Sequence, residues 1–153
     1  MIEERYELAL DRIRLMQTED TVGEPYRDYF KKMAEFVLML DELRTELLDG
    51  RYQKLELDEL RKWNRRLYQD VLPGQYEKSY ANPDYACKML GKESGQILGM
   101  LYAELRGAVV YVFEGKTEYL AILYELLIEV YNQFEEEPDP KAVRDTFYWY
   151  ASD

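Results

Sequence analysis

Between Glu93 and Glu114 the only charged residues are Glu104 and Arg106, and this stretch restricts the fold more than any other. Along it, Gly91, Gly95, Gly99, Ala103 and Gly107 recur at every fourth position. Residues four apart lie on one face of an α-helix. The five therefore predict a ridge without side-chain bulk, along which another helix can approach closely. Glycine costs about 0.8–1 kcal/mol per helical position relative to alanine, so tight packing must offset the ridge. Either the 117–134 helix or the second helix of the chain is expected to sit on it, and Gly99→Leu is expected to destabilise the domain. A groove for another subunit, domain or ligand is the sharper alternative.

This stretch is long enough to span a bilayer. Each central charge would cost roughly 2.5–3.5 kcal/mol there, and Gln96 and Tyr102 add to that. A core helix over about 92–113, with the other helices packed around it, is the expectation.

The rest of the chain reads as helices too. Ile2, Tyr6, Ala9, Ile13 and Met16 form one apolar stripe of a helix running to about Gln17. A second helix starts near Pro25 and ends at Asp49-Gly50, with a stripe of Tyr26, Tyr29, Phe30, Met33, Val37, Leu40, Leu43 and Leu47. After an irregular connection over Arg51–Leu57, Asp58 can cap a third helix carrying Leu60, Trp63, Leu67 and Val71. Leu72-Pro73-Gly74 stops it, and Gln75–Ala81 reads as loop with room for one helical turn. Asn82-Pro83 starts a helix through Leu90, which Gly91 ends or bends. Further helices are expected from Thr117 to Phe134 and from Asp139-Pro140 to the end of the chain. No window alternates between apolar and polar residues, so no strands are predicted. The expected fold is all-α: a single domain over 1–153, an irregular bundle of six to seven helices around the 92–113 helix.

Composition removes whole classes of function. The 153 residues include no histidine, which excludes Ser-His-Asp and Cys-His catalysis and imidazole-bound metals. Glu125 and Glu129 lie one turn apart, but a di-iron carboxylate bundle also needs Glu-x-x-His. Neither a calcium loop nor a glycine-rich phosphate loop is present. No catalytic, cofactor-binding or metal-binding residue is assigned, and no cofactor is expected. The net charge of −11 repels phosphate backbones and anionic membrane surfaces, so neither nucleic acid nor membrane is an expected partner. Arg61-Lys62 and Arg65-Arg66 flank Trp63, but in so acidic a chain they read as a solvated helix face. With one cysteine, Cys87, no internal disulfide can form, which suits a reducing compartment. The N-terminus lacks the layout of a signal peptide.

Two groups remain as candidate binding residues. Tyr102, Glu104 and Arg106 could line a small-molecule pocket within the apolar helix. Phe147, Tyr148, Trp149 and Tyr150 crowd the last helix near the end of the chain. Such a cluster beside a terminus predicts a domain excised from a longer protein, with these aromatics at an interdomain contact. Fifteen tyrosines and two tryptophans favour an association role, homo-oligomers included. Most of the tyrosines read as core or boundary residues whose hydroxyls reach water.

Three runs carry a family resemblance: Tyr76-Glu77-Lys78-Ser79-Tyr80-Ala81-Asn82-Pro83-Asp84-Tyr85-Ala86, Leu101-Tyr102-Ala103-Glu104-Leu105-Arg106-Gly107, and Val143-Arg144-Asp145-Thr146-Phe147-Tyr148-Trp149-Tyr150. Together they resemble the N-terminal region of clostridial leucyl aminopeptidases of the aminopeptidase T type. The resemblance implies a cytoplasmic, non-catalytic accessory region ahead of a metal-dependent peptidase domain. Its role would be dimerisation, interdomain packing or control of access to the active site. That family's metal ligands lie in the catalytic domain, and none carries over to a residue here.

Overall fold

The computed structural model describes residues 2–48, 58, 61–62, 65, 80, 82–135 and 139–151. Six helices are found there: α1 (Ile2–Met16), α2 (Tyr26–Leu48), α3 (Pro83–Leu90), α4 (Lys92–Phe113), α5 (Thr117–Phe134) and α6 (Pro140–Ala151). No strand occurs among the described residues, and the fold is an all-α bundle.

The caps follow from local chemistry. Asn82 keeps an extended backbone, and its side chain accepts from the Asp84 amide ahead of Pro83. Asp139 Oδ1 likewise accepts from the Lys141 amide at 3.1 Å. Gly91 stops α3 with φ 90°, a conformation open to glycine without strain. Its N–H bonds to the Cys87 carbonyl, and α4 starts at the next residue. Of the two readings for Gly91, stop or bend, the stop is observed.

Packing follows the stripes. Tyr6, Ala9, Ile13 and Met16 of α1 are buried, as are Tyr29, Phe30, Met33, Val37, Leu40 and Leu43 of α2. The helix α4 touches α2, α3, α5 and α6, while α1 lies across α2 and α5. Rings interlock at the centre: Phe30 meets Tyr131 edge-on at 5.2 Å, and Tyr26 tilts against Phe134 at 4.8 Å.

The tyrosine hydroxyls differ from expectation. Several end on protein atoms instead of water. Tyr29 donates to the Leu98 carbonyl at 2.6 Å and Tyr26 to the Leu90 carbonyl at 3.1 Å. Tyr131 reaches Glu19 and Thr21, tying the α1–α2 connection to α5. A buried hydroxyl without a partner is costly, and a neighbouring helix supplies one here.

The predicted third helix and the loop before Asn82 lie largely outside the described residues. Asp58, Arg61, Lys62 and Arg65 are described; all four are helical and exposed, at the spacing of one helix face.

Candidate functional site

The small-residue ridge packs tightly at one position. At Gly95 an added Cβ would lie 2.6 Å from the Cys87 Cα and 2.8 Å from the Ala86 carbonyl carbon. The neighbour is α3, which the stop at Gly91 folds back onto α4, and not the 117–134 helix or the second helix. At Gly91, Gly99 and Gly107 an added Cβ would meet nothing within 4 Å. Ala103 and Gly107 are exposed and Gly99 is half-buried. Beyond Gly95 the expected close packing is thus absent, and the ridge faces outward.

The reason is that α4 buries its opposite side. Ile97, Leu98, Leu101, Leu105, Ala108, Val109 and Val112 make up its core face. The outer face carries Gly99, Met100, Ala103, Gly107 and Val110, with Met100 42% and Val110 36% exposed. By length and composition this helix could cross a membrane, yet only 44% of its most apolar window is buried. The expected core helix is therefore central in its contacts and open along one side.

The Tyr102, Glu104 and Arg106 group does not form a pocket. Tyr102 is buried, whereas Glu104 and Arg106 are exposed on the outer surface. Two-residue steps around a helix turn successive side chains apart. Phe147, Tyr148, Trp149 and Tyr150 belong to α6, but their side chains lie outside the described residues.

Glu125 and Glu129 also go separate ways. Glu125 is engaged by both the Nε and an Nη of Arg5 on α1, and Glu129 is exposed. Among the described residues, no group of three or more potential metal-ligating side chains is suitably placed.

The densest polar cluster lies where α1, α2 and α5 meet. The Arg44 guanidinium sits 4.1 Å above the Tyr6 ring, and the Tyr6 and Tyr124 hydroxyls are 3.4 Å apart. Arg14 and Arg44 each approach the Asp41 carboxylate at 3.9 Å. Burial pushes the Asp41 carboxyl above its ordinary range. It also pushes the Tyr6 hydroxyl up to about 12 and raises that of Tyr124. Burial opposes ionisation, so the tyrosines are poor proton donors near neutrality. The arrangement suits a structural bolt between helices better than acid–base chemistry.

Sequence reasoning missed the shallow groove between α1 and α5. Leu8, Ala9 and Ile128 line it, and Arg5 and Glu125 flank it. Leu8 is 65% exposed and Leu15, seven residues on, 55%. Their signal was present, since both lie off the α1 apolar stripe. A second hollow joins Asp20, Glu24 and Asp28 to Tyr80. Its charges are largely matched, because Arg27 and Lys31 reach Asp20, and Tyr80 donates to Asp28 at 2.9 Å.

No protein-family model matches the chain, and neither a curated protein nor a solved structure shows significant similarity to it.

Proposed function

We propose that this chain is a non-catalytic helical interaction domain, and that the outer face of α4 is the surface it offers. One observation carries the reading: α4, where Glu104 and Arg106 are the only charges between Glu93 and Glu114, leaves Met100, Ala103, Gly107 and Val110 exposed along one side. Exposed apolar surface in a continuous patch marks an interaction site more often than scattered single residues do. The polar clusters offer no competing chemistry, since their members are engaged with one another.

The resemblance of residues 76–86, 101–107 and 143–150 to leucyl aminopeptidases extends the proposal. On that basis the parent protein is a cytoplasmic metal-dependent peptidase, and this region packs against, dimerises or screens its catalytic part. That extension rests on the resemblance alone.

A photo-crosslinking amino acid placed at Met100 or Val110 in cells tests the reading. Covalent adducts to a polypeptide are expected there and not at the exposed Glu118 of α5. Absence of adducts at both positions would overturn it, as would release of amine from leucyl amides by the purified chain.

A further inference from the structure

We infer that the groove between α1 and α5 is a second docking surface, and that its occupant is a basic amphipathic helix of another polypeptide. The inference goes beyond the role proposed for α4 and stands on different residues.

Two parallel helices build the groove. Arg5 pairs with Glu125, and Arg12 with Asn132 and Glu135, so both helices advance in the same direction. Each of these bridges runs from one wall to the other. Between them Leu8, Ala9 and Ile128 form an apolar socket, walled by the aliphatic stems of Arg5 and Arg12. Leu8 and Leu15 are the two most exposed large apolar side chains among the described residues. They are seven residues apart, a spacing that returns to the same side of a helix after two turns. A helix laid in a groove presents its apolar anchors at i, i+3, i+4 and i+7. The socket beside Leu8 takes one anchor, and Leu15 meets the next, two turns on.

Charge selects the partner. The arginines at the groove are spent on carboxylates of the same chain: Arg5 on Glu125, and Arg12 on Glu19 at 3.1 Å and Glu135 at 3.3 Å. Glu4 lines the α1 rim, and Glu129 follows Glu125 by one turn on α5. Both are exposed, and neither forms an ion pair among the described residues. Lysine or arginine on the flanks of an incoming helix can pair with them without displacing an existing bridge. A second copy of this chain is a poor occupant, because each copy carries a net charge of −11. An anionic membrane surface is repelled on the same ground.

The probe is a synthetic helical peptide with leucines at i, i+4, i+7 and i+11 and lysines on both flanks. Its control carries glutamates in place of the lysines. Fluorescence anisotropy with the full chain should show the lysine peptide binding and the glutamate peptide about tenfold weaker or worse, with the difference shrinking as salt is raised. Leu8→Asp should remove the binding. Because Leu8 is exposed, helix content and melting temperature should hold. Glu4→Lys combined with Glu129→Lys should erase the preference for the lysine peptide. Amide shifts on binding should centre on α1 and α5. No binding of the lysine peptide, equal binding of both peptides, binding indifferent to Leu8→Asp, or shifts centred elsewhere would overturn the inference. Self-association of the chain that Leu8→Asp abolishes would overturn it too, since the groove would then hold a second copy. Crosslinks from Met100 test the α4 reading separately, so the two can fail independently.

Discussion

The Tyr29 hydroxyl donates to the Leu98 carbonyl at 2.6 Å and joins α2 to α4 inside the core. Both residues are fully buried. Tyr29 also meets Phe30 and Tyr80 edge-on at 5.2 Å, contacts that a phenylalanine would keep. Tyr29→Phe therefore removes one hydrogen bond and little packing. The expected loss is about 0.5–1.5 kcal/mol. Urea unfolding should show a lower midpoint with an unchanged slope. An unchanged midpoint would mean that the bond contributes nothing net.

Gly95 and Gly99 are one turn apart on the same helix and should respond oppositely to alanine. At Gly95 the new methyl would sit 2.6 Å from the Cys87 Cα, a backbone atom that can move only if α3 moves. Gly95→Ala should cost about 1–3 kcal/mol, as overpacking does. At Gly99 nothing lies within 4 Å, and alanine is the better helix former. Gly99→Ala should stabilise by up to about 1 kcal/mol. Thermal melts of the two variants check both signs, at about 2–4 °C per kcal/mol for a chain of this size. Two destabilised variants would mean that the ridge packs tightly at both positions.

That pair also shows how far the sequence could be read. The stripes of α1 and α2 were legible because polar residues separate the apolar ones, so periodicity names a single inward face. On α4 the signal is sparser and mixed: Lys92, Glu93, Gln96, Glu104 and Arg106 all fall on the ridge side and mark it as outward, whereas the small residues of the ridge suggest close packing. The direction is set by tertiary contacts, with Leu98, Leu101 and Leu105 taken into the core. The Gly95 contact was out of reach for a related reason. It depends on φ 90° at Gly91, which folds α3 back onto the start of α4. The outward face that became the candidate site was thus written in the sequence as residues, but not as a surface. The Leu8 and Leu15 face of α1 was visible off the stripe, yet a single exposed leucine predicts little.

The Asn82 side chain accepts from the Asp84 amide at 3.1 Å, capping a helix of only eight residues. A helix that short is marginal by itself and depends on its ends and its packing. Asn82→Ala should cost about 1 kcal/mol, and Asn82→Asp should be close to neutral. Amide exchange offers a local readout: protection of Cys87 and Lys88 should fall in the alanine variant while protection within α2 holds. Equal loss in both helices would show that α3 does not open independently.

The buried tyrosines predict alkaline unfolding. The Tyr6 hydroxyl, ordinarily near 10.0, is held up to about 12 by burial, and burial raises the Tyr124 hydroxyl beside it as well. In the unfolded chain both ionise near pH 10, so above that pH the unfolded state has released protons that the folded state retains. Stability is therefore complete below pH 10 and falls as the pH climbs through 12. For Tyr6 the loss is up to about 3 kcal/mol, the equivalent of raising an acid from 10.0 to about 12. Tyr29 adds to this through the same cause, burial. Helix content by circular dichroism should drop in this range, together with a step in tyrosinate absorbance. Tyr6→Phe removes one of the ionising groups and should flatten the pH dependence, even though it loses the contact to Tyr124. Tyrosinate absorbance rising in full while the helices persist would show that these hydroxyls ionise in place and that burial does not hold them.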